Sequence, residues 1–335
     1  MADRLKIGVI GIDHRHCYTQ IQNMLDVGAE LTCWSTIGTP ETLDGFLKRF
    51  PDAARVPDGT DVLNSGVDLV ILAGIPVDRA AWAVAAMQAG CDVMSDKPGC
   101  TTMEQLDAIK DAQAATGRIW SIDFSERFEV PAVTKAAELV AAGAIGKVVQ
   151  TVGLGPHRLN RPTRPDWFFQ RERYGGILVD IASHQIDQFL YFTGSTDAQV
   201  TLASVGNFAN PSDTGLQDFG QIVLQSPQGH GYIRVDWYTP DALPTWGDGR
   251  LTLLGTEGTI ELRKYVDIGG AAGGDHVFLV NGSRCERIDA SGAGLPYFAA
   301  LAADVRDRTE TAMPQTHAFK VMDLALQAQA LAEAT

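Results

Sequence analysis

The sequence predicts an α/β protein: an N-terminal doubly wound parallel sheet, then a C-terminal α+β domain with a large, mostly antiparallel open sheet. Three observations carry this reading. The chain has 335 residues, longer than one domain usually runs. Through residue 123, short apolar runs alternate with amphipathic stretches joined by short links, the pattern of a parallel sheet with crossover helices. Beyond it, strand-like segments crowd together with turn signals between them. The boundary is therefore placed between domains 1–123 and 124–335.

In the first domain, Leu5–Ile10, Glu30–Ser35, Asp68–Ala73, Asp92–Ser95 and Arg118–Asp123 read as strands. The run DLVILA at Asp68–Ala73 is apolar without alternation, as expected of a strand covered on both faces. Helices are expected near Arg15–Val27, Glu41–Phe50 and Arg79–Ala89, the last closed by Gly90, and from a cap at Thr101-Thr102 to Thr116. In the second domain, Pro131–Ala142 and Gly176–Thr193 read as helices ended by Gly143 and Gly194, with Lys147–Gly153 a strand between them. From Ala198 to about Ile288 the segments AQVTLASV, FGQIVLQ, GYIRVDWY, RLTLLG, GTIELRKY and HVFLV read as strands. Helices return at Tyr297–Thr309 and Ala318–Ala334.

Hydrophobic residues make up 45% of the chain, enough for a core in each domain. The formal net charge of −14 repels nucleic acid and anionic membrane surfaces, so neither is an expected partner. Against that trend, Arg158, Arg161, Arg164, Arg171 and Arg173 cluster with His157, countered by Asp166 and Glu172. The cluster reads either as a solvated loop or as a mouth for an anionic cofactor or substrate. Cysteines 17, 33, 91, 100 and 285 form no C-x-x-C pair, so buried free thiols are expected, with no disulfide framework and no metal site. The opening MADRLKIGVIG lacks the features of a signal peptide, and no apolar run approaches the ~20 residues of a membrane span. A cytoplasmic protein is expected.

Strand Leu5–Ile10 runs into Gly11-Ile12-Asp13-His14-Arg15-His16, where a Rossmann-like nucleotide-binding turn would carry G-x-G-x-x-G. Gly11 is in place, whereas Asp13 and His16 stand at the second and third positions. The following helix start still offers N–H groups to a phosphate, and His14 or Arg15 supplies a candidate direct contact. Asp13 is alternatively an N-cap. The second strand ends in Ser35-Thr36 without the acidic residue that holds an adenosine ribose, which leaves NAD or NADP open. The turn Ala73-Gly74-Ile75-Pro76 is small enough to pass beneath a nucleotide. A domain that has lost its cofactor is the competing reading.

A second constellation follows. Strand Asp92–Ser95 ends in Asp96-Lys97-Pro98-Gly99, which projects Lys97 from the sheet edge that carries the glycine turn. Asp180, His184 and Asp187 are spaced to share one helical face. These groups suit alcohol oxidation. Histidine titrates near working pH and can take a hydroxyl proton; an aspartate would fix its tautomer; an ammonium would stabilise the alkoxide. A structural Asp–His pair is the plainer alternative, and a cation gathered by these groups and His157 has no specific ligand spacing.

Together these segments resemble the glucose–fructose oxidoreductase / inositol dehydrogenase / MocA (Gfo/Idh/MocA) family over nearly the whole chain. KIGVIG opens the nucleotide-binding domain, and Ser95-Asp96-Lys97-Pro98 is similar to the family's E-K-P motif with Asp for Glu. Gly175-Gly176-Ile177-Leu178-Val179-Asp180-Ile181-Ala182-Ser183-His184 resembles its G-G-x-x-x-D-x-x-x-H segment, and Leu254-Gly255-Thr256-Glu257-Gly258-Thr259-Ile260 its G-T-x-G hairpin. Ser125-Glu126-Arg127-Phe128 departs from the Asn or Gln that often precedes R-F. The resemblance implies an NAD- or NADP-linked oxidoreductase for sugars, inositols or related polyols, assembled as a homodimer or homotetramer through the second sheet. It puts Lys97, Asp180 and His184 at the catalytic positions. Expected cofactor contacts are Gly11, Ile12, Asp13, His14, Arg15, Ser35, Thr36, Ala73, Gly74, Ile75, Pro76, Asp96 and Lys97. Expected substrate contacts are His157, Arg161, Arg164, Trp167, Trp237 and Tyr238, with Asp180 and His184. Two rivals share these residues: a glycoside-cleaving enzyme that retains its NAD, and a non-catalytic binding protein on the same fold.

Overall fold

The computed structural model describes residues 4–334; residues 1–3 and 335, the outer ends of the two expected domains, lie outside the described residues. Two compact units emerge. The first comprises residues 1–123, 165–175 and 296–319, the second residues 124–164, 176–295 and 320–335.

The first unit is built on six parallel strands: β1 (Lys6–Ile10), β2 (Glu30–Ser35), β3 (Ala54–Arg55), β4 (Leu69–Leu72), β5 (Asp92–Asp96) and β6 (Trp120–Asp123). Their order is β3-β2-β1-β4-β5-β6, the doubly wound order whose switch point lies beside β1. Every residue of β4 and β5 is buried, which explains the unbroken apolar run of β4. Helix Pro76–Gln88 begins three residues before the expected start, because Pro76 occupies the first turn, where a missing N–H costs nothing. Thr102 caps helix Met103–Thr116 by accepting from the Gln105 N–H, and left-handed Gly117 ends it.

Within residues 4–123, two elements escaped the sequence pattern. Strand β3 has two residues, too few to show a period. Helix Gly59–Leu63 opens with a capping box in which Asp58 and Asp61 hydrogen-bond reciprocally, with Asp where Glu or Gln is usual.

The first unit divides from the second after Asp123 and also takes in residues 165–175 and 296–319. The Trp120 N–H donates to Gln315 Oε1 at 2.8 Å, Ser121 Oγ and Tyr297 Oη share a hydrogen bond of 2.7 Å, and Arg308 donates to Asp92 at 2.5 Å. These ties join residues more than 170 positions apart, beyond the reach of any local pattern.

The second unit carries eight strands: β7 (Val148–Pro156), β8 (Gln199–Gly206), β9 (Phe219–Gln225), β10 (His230–Asp236), β11 (Arg250–Gly255), β12 (Gly258–Arg263), β13 (His276–Asn281) and β14 (Cys285–Asp289). The order is β14-β13-β12-β11-β7-β10-β9-β8, antiparallel throughout except between β7 and β10. Strand β14 was not among the expected segments; its residues are mostly exposed and charged. Helix Pro131–Ala141 closes a core of Val133, Leu139, Leu253, Ile260 and Leu279. The expected helix over Gly176–Thr193 is two helices, Ile177–Asp180 and Ala182–Thr193, with Ile181 between them at φ −102° and ψ −47°. The longer one lies close on β7 because a Cβ at Gly153 or Gly155 would stand 2.7–2.8 Å from the Gln185 side chain.

Among the described residues, no helix is long and apolar enough to cross a membrane. Cys17, Cys33, Cys91 and Cys100 are buried free thiols, whereas Cys285 is exposed on β14, contrary to expectation.

Candidate active site

At the carboxyl end of the first sheet, Gly11 adopts φ +74°, and a Cβ there would stand 2.4 Å from the Gly74 Cα. Two backbone segments therefore cross where any side chain would separate them. The Gly11 N–H donates to Ser35 O at 2.9 Å and the His14 N–H to Ala73 O at 3.0 Å, fixing the turn against its neighbours. Around this crossing lies a cavity of about 220 Å³, lined among others by Gly11, Asp13, Ser35, Thr36, Gly74 and Ile75. Thr36 Oγ1 is buried there without a hydrogen-bond partner among the described residues, an acceptor and donor suited to a ribose hydroxyl. The cavity and its bare glycine floor fit a dinucleotide.

Other expected cofactor contacts fall outside this lining. Ile12 and Ala73 are buried in the core, Pro76 opens its helix, and the Arg15 side chain is 69% exposed with Glu41 3.9 Å away. His14, His16 and Asp96 form a network instead. Asp96 is fully buried, with His14 Nδ1 and His16 Nδ1 each 2.9 Å from its carboxylate and Arg79 donating at 3.0 Å. Burial alone would raise the Asp96 carboxyl, but Arg79 and then the two imidazoles outweigh it and hold it well below the usual carboxylate range. Burial pushes His14 down to about 3, against the pull of Asp96, so its ring is neutral near pH 7. Histidine at the third glycine position thus has a physical partner in the shortened acid of the lysine motif. The three groups bring ligand atoms within 4.8 Å of one another, with the Arg79 guanidinium on the same carboxylate. Lys97 follows directly, 5% exposed, with a cis peptide to Pro98.

Sequence reasoning missed Asp58, Asp78, Arg79, Trp82 and Arg173, which also line the cavity. The arginine-rich run held a signal for Arg173 alone; the rest arrive from helix starts on neighbouring crossovers.

In the second unit, left-handed Gly175 and Gly176 precede Asp180. A Cβ at Gly176 would meet the Gln329 side chain at 2.3 Å, and Gln329 Oε1 accepts the Leu178 N–H at 3.1 Å. The His184 N–H donates to Ile181 O at 3.1 Å, a tightened turn that replaces regular helical spacing between Asp180 and His184. Both side chains are buried, at 7% and 1% exposure, and the His184 ring stands edge-on to Phe124 at 6.2 Å. Asp187 belongs elsewhere: Arg127 grips it through two hydrogen bonds of 2.6 and 2.7 Å. Lys264 is buried against Glu126 (2.7 Å) and Gln188 (3.1 Å), so Glu126 in the departed R-F segment anchors a polar core.

The His157 ring stands edge-on to Trp237 (5.2 Å) and tilted against Trp246 (4.6 Å), and Arg164 lies over Trp237 at 5.0 Å. Trp246 was not foreseen. Arg161 is bound to Asp213, Arg158 to Leu243 O and Pro240 O, and Tyr238 donates to Asp218. Arg158 and Arg161 thus tie their loop to the loops at residues 240–243 and 213, which narrows the charged-mouth reading. Trp167 lies with residues 165–175 of the first unit, edge-on to Phe168 at 6.1 Å.

Residues 5–124 match the model of an oxidoreductase family with an NAD-binding Rossmann fold, in keeping with the sheet order and the glycine crossing. Residues 133–261 match the GFO/IDH/MocA C-terminal domain, and the chain belongs to the Gfo/Idh/MocA family of oxidoreductases. A presumed oxidoreductase from Erwinia carotovora atroseptica SCRI1043 shares 43% identity and a TM-score of 0.95, over 98% of this chain and 99% of that one. The scyllo-inositol 2-dehydrogenase (NAD(+)) of Bacillus subtilis (strain 168) is 25% identical over 78% of this chain and 74% of that protein. The D-glucoside 3-dehydrogenase of Escherichia coli (strain K12) is 33% identical over 32% of this chain and 31% of that protein. The first curated relatives are matched over 31–41% of their own length.

Proposed function

We propose that this protein transfers a hydride between a secondary hydroxyl of a sugar, inositol or related polyol and a nicotinamide cofactor. The observation that carries the reading is the Gly11–Gly74 crossing beside an unpartnered, buried Thr36 hydroxyl, in a chain that retains Lys97, Asp180 and His184 in the family's order. The kinship with an inositol dehydrogenase and a glucoside dehydrogenase supports the substrate class. A bound nicotinamide supplies the hydride acceptor. His184 takes the hydroxyl proton, Asp180 orients its imidazole, and the Lys97 ammonium stabilises the developing alkoxide. His157 and Trp246 offer aromatic surface to sugar C–H groups, backed by the buried Trp237 with Arg164 over it.

The direct test follows absorbance at 340 nm with NAD and NADP across a panel of sugars, inositols and nitrophenyl glycosides. Reduction of cofactor by a free polyol is the expected result. Release of nitrophenol without net NADH would replace the proposal with oxidation–elimination, and tight cofactor binding with neither outcome would replace it with a binding role.

An assembly of two or four copies through the second sheet is part of the same proposal. Leu254 on β11 and Val280 on β13 are 40% and 46% exposed, each pairs with Thr259 of β12, and their chain neighbours Leu253 and Leu279 are buried, so an apolar spot faces outward there. Light scattering of the wild type and of Leu254→Asp should show a shift to monomer in the variant.

A further inference from the structure

The departure at Asp13 creates an electrostatic problem that the cavity must solve. Its Oδ2 would lie 3.6 and 3.7 Å from Cβ atoms placed on Gly11 and Gly74, so a carboxyl group sits over the crossing where a nucleotide phosphate approaches this fold. Asp58 and Asp78 also line the cavity, which therefore holds three acids. Its cations are Arg79 and Arg173. Arg79 is committed: its guanidinium donates to Gly74 O (2.9 Å), Asp96 O (2.9 Å), Lys97 O, Pro98 O (3.1 Å) and Asp96 Oδ2 (3.0 Å), and it is 1% exposed.

Arg173 differs. It comes from the short helix Arg171–Tyr174, in a segment far along the chain that belongs to the first unit. Its Nε is buried and has no hydrogen-bond partner among the described residues. A guanidinium presents planar paired donors that match phosphate oxygens.

Resting on the reading that the first unit binds a dinucleotide, we infer that Arg173 is the pyrophosphate anchor of this protein, replacing the backbone approach that Asp13 and His16 remove from the glycine turn. The cation thus arrives from outside the β1 turn. One arginine of the arginine-rich run serves an anion, while Arg158, Arg161 and Arg164 serve their loops.

The test compares NADH, ADP-ribose and adenosine by calorimetry or fluorescence titration on the intact protein, with Arg173→Ala, Arg173→Lys and Arg15→Ala alongside. Arg173→Ala should weaken NADH and ADP-ribose by ~10- to 100-fold, the range for loss of a charge-assisted contact, and leave adenosine within about twofold. Arg173→Lys should restore part of the loss, because the charge returns without the fork. Unchanged melting of Arg173→Ala keeps the comparison interpretable, and a destabilised variant passes the decision to Arg173→Lys. Equal affinities in wild type and both Arg173 variants would overturn the inference, as would equal losses for adenosine and ADP-ribose. A loss that falls on Arg15→Ala instead would assign the anchor to the turn itself. A wild type that binds none of the three ligands would overturn the underlying reading and the inference with it.

Discussion

The tightest approach in the first unit's site is between two backbones, at Gly11 and Gly74, and the side chains around it are locked in one network through Asp96. In the second unit, side chains close on backbone: Gln329 meets Gly176, and Gln185 overlies Gly153 and Gly155 and seats the helix that carries His184. The first arrangement makes an edge and a floor on which a ligand rests. The second holds a buried imidazole at a defined height above a sheet. A binding surface needs the former and proton transfer needs the latter, so substitutions in the two regions should fail in different ways.

The largest expected effect separates them. His184→Asn or Lys97→Met should lower kcat by ~10²–10⁴-fold, the range for removal of a general base or a charge stabiliser, while NADH affinity stays within a few-fold. Steady-state kinetics beside fluorescence titration checks this, and a matched loss of affinity would erase the contrast. Next comes stability in the second unit. Asp187→Ala strands Arg127, 9% exposed, without its carboxylate and should cost about 3–5 kcal/mol in urea unfolding. A cost near zero would show that water reaches Arg127.

Gly11→Ala tests the backbone crossing. A left-handed φ and a clash with Gly74 together should cost about 2–4 kcal/mol and remove measurable NADH binding. The smallest effect is on pH. An unfolded chain protonates His14 near 6.5, whereas the folded protein resists until about 3. Stability should therefore decline as pH falls below 6.5, and His14→Asn should flatten that slope in urea titrations. Asp96, held low, adds a loss that begins only below its unfolded value near 3.8. A slope unchanged in His14→Asn would place the acid sensitivity elsewhere.

How much of this was readable depends on distance along the chain. Strands β2, β9 and β11 match their sequence segments residue for residue, because their turns and apolar patterns are local. The catalytic candidates were legible as motifs in order. The break at Ile181 was not, since Gly176 through Thr193 carries a continuous apolar stripe that gives no sign of the tightened turn in which the His184 N–H bonds Ile181 O. The partners of His14 and His16 were also hidden: Asp96 lies some 80 residues away, so His16 read as a departure from the glycine turn and His14 as a candidate phosphate contact.

By itself, then, the sequence determined the order of elements, the doubly wound class and the glycine that lets two backbones cross. Those follow from hydrophobic period, turn chemistry and φ preference, all short-range. Only the tertiary structure decided which charges are engaged. It bound Arg79 to Asp96, gave Asp187 to Arg127, turned three loop arginines onto backbone and loop acids, and left Arg173 at the cavity. A charged side chain acts through whatever lies within a few ångströms of it, and that neighbourhood is set by folding rather than by chain position.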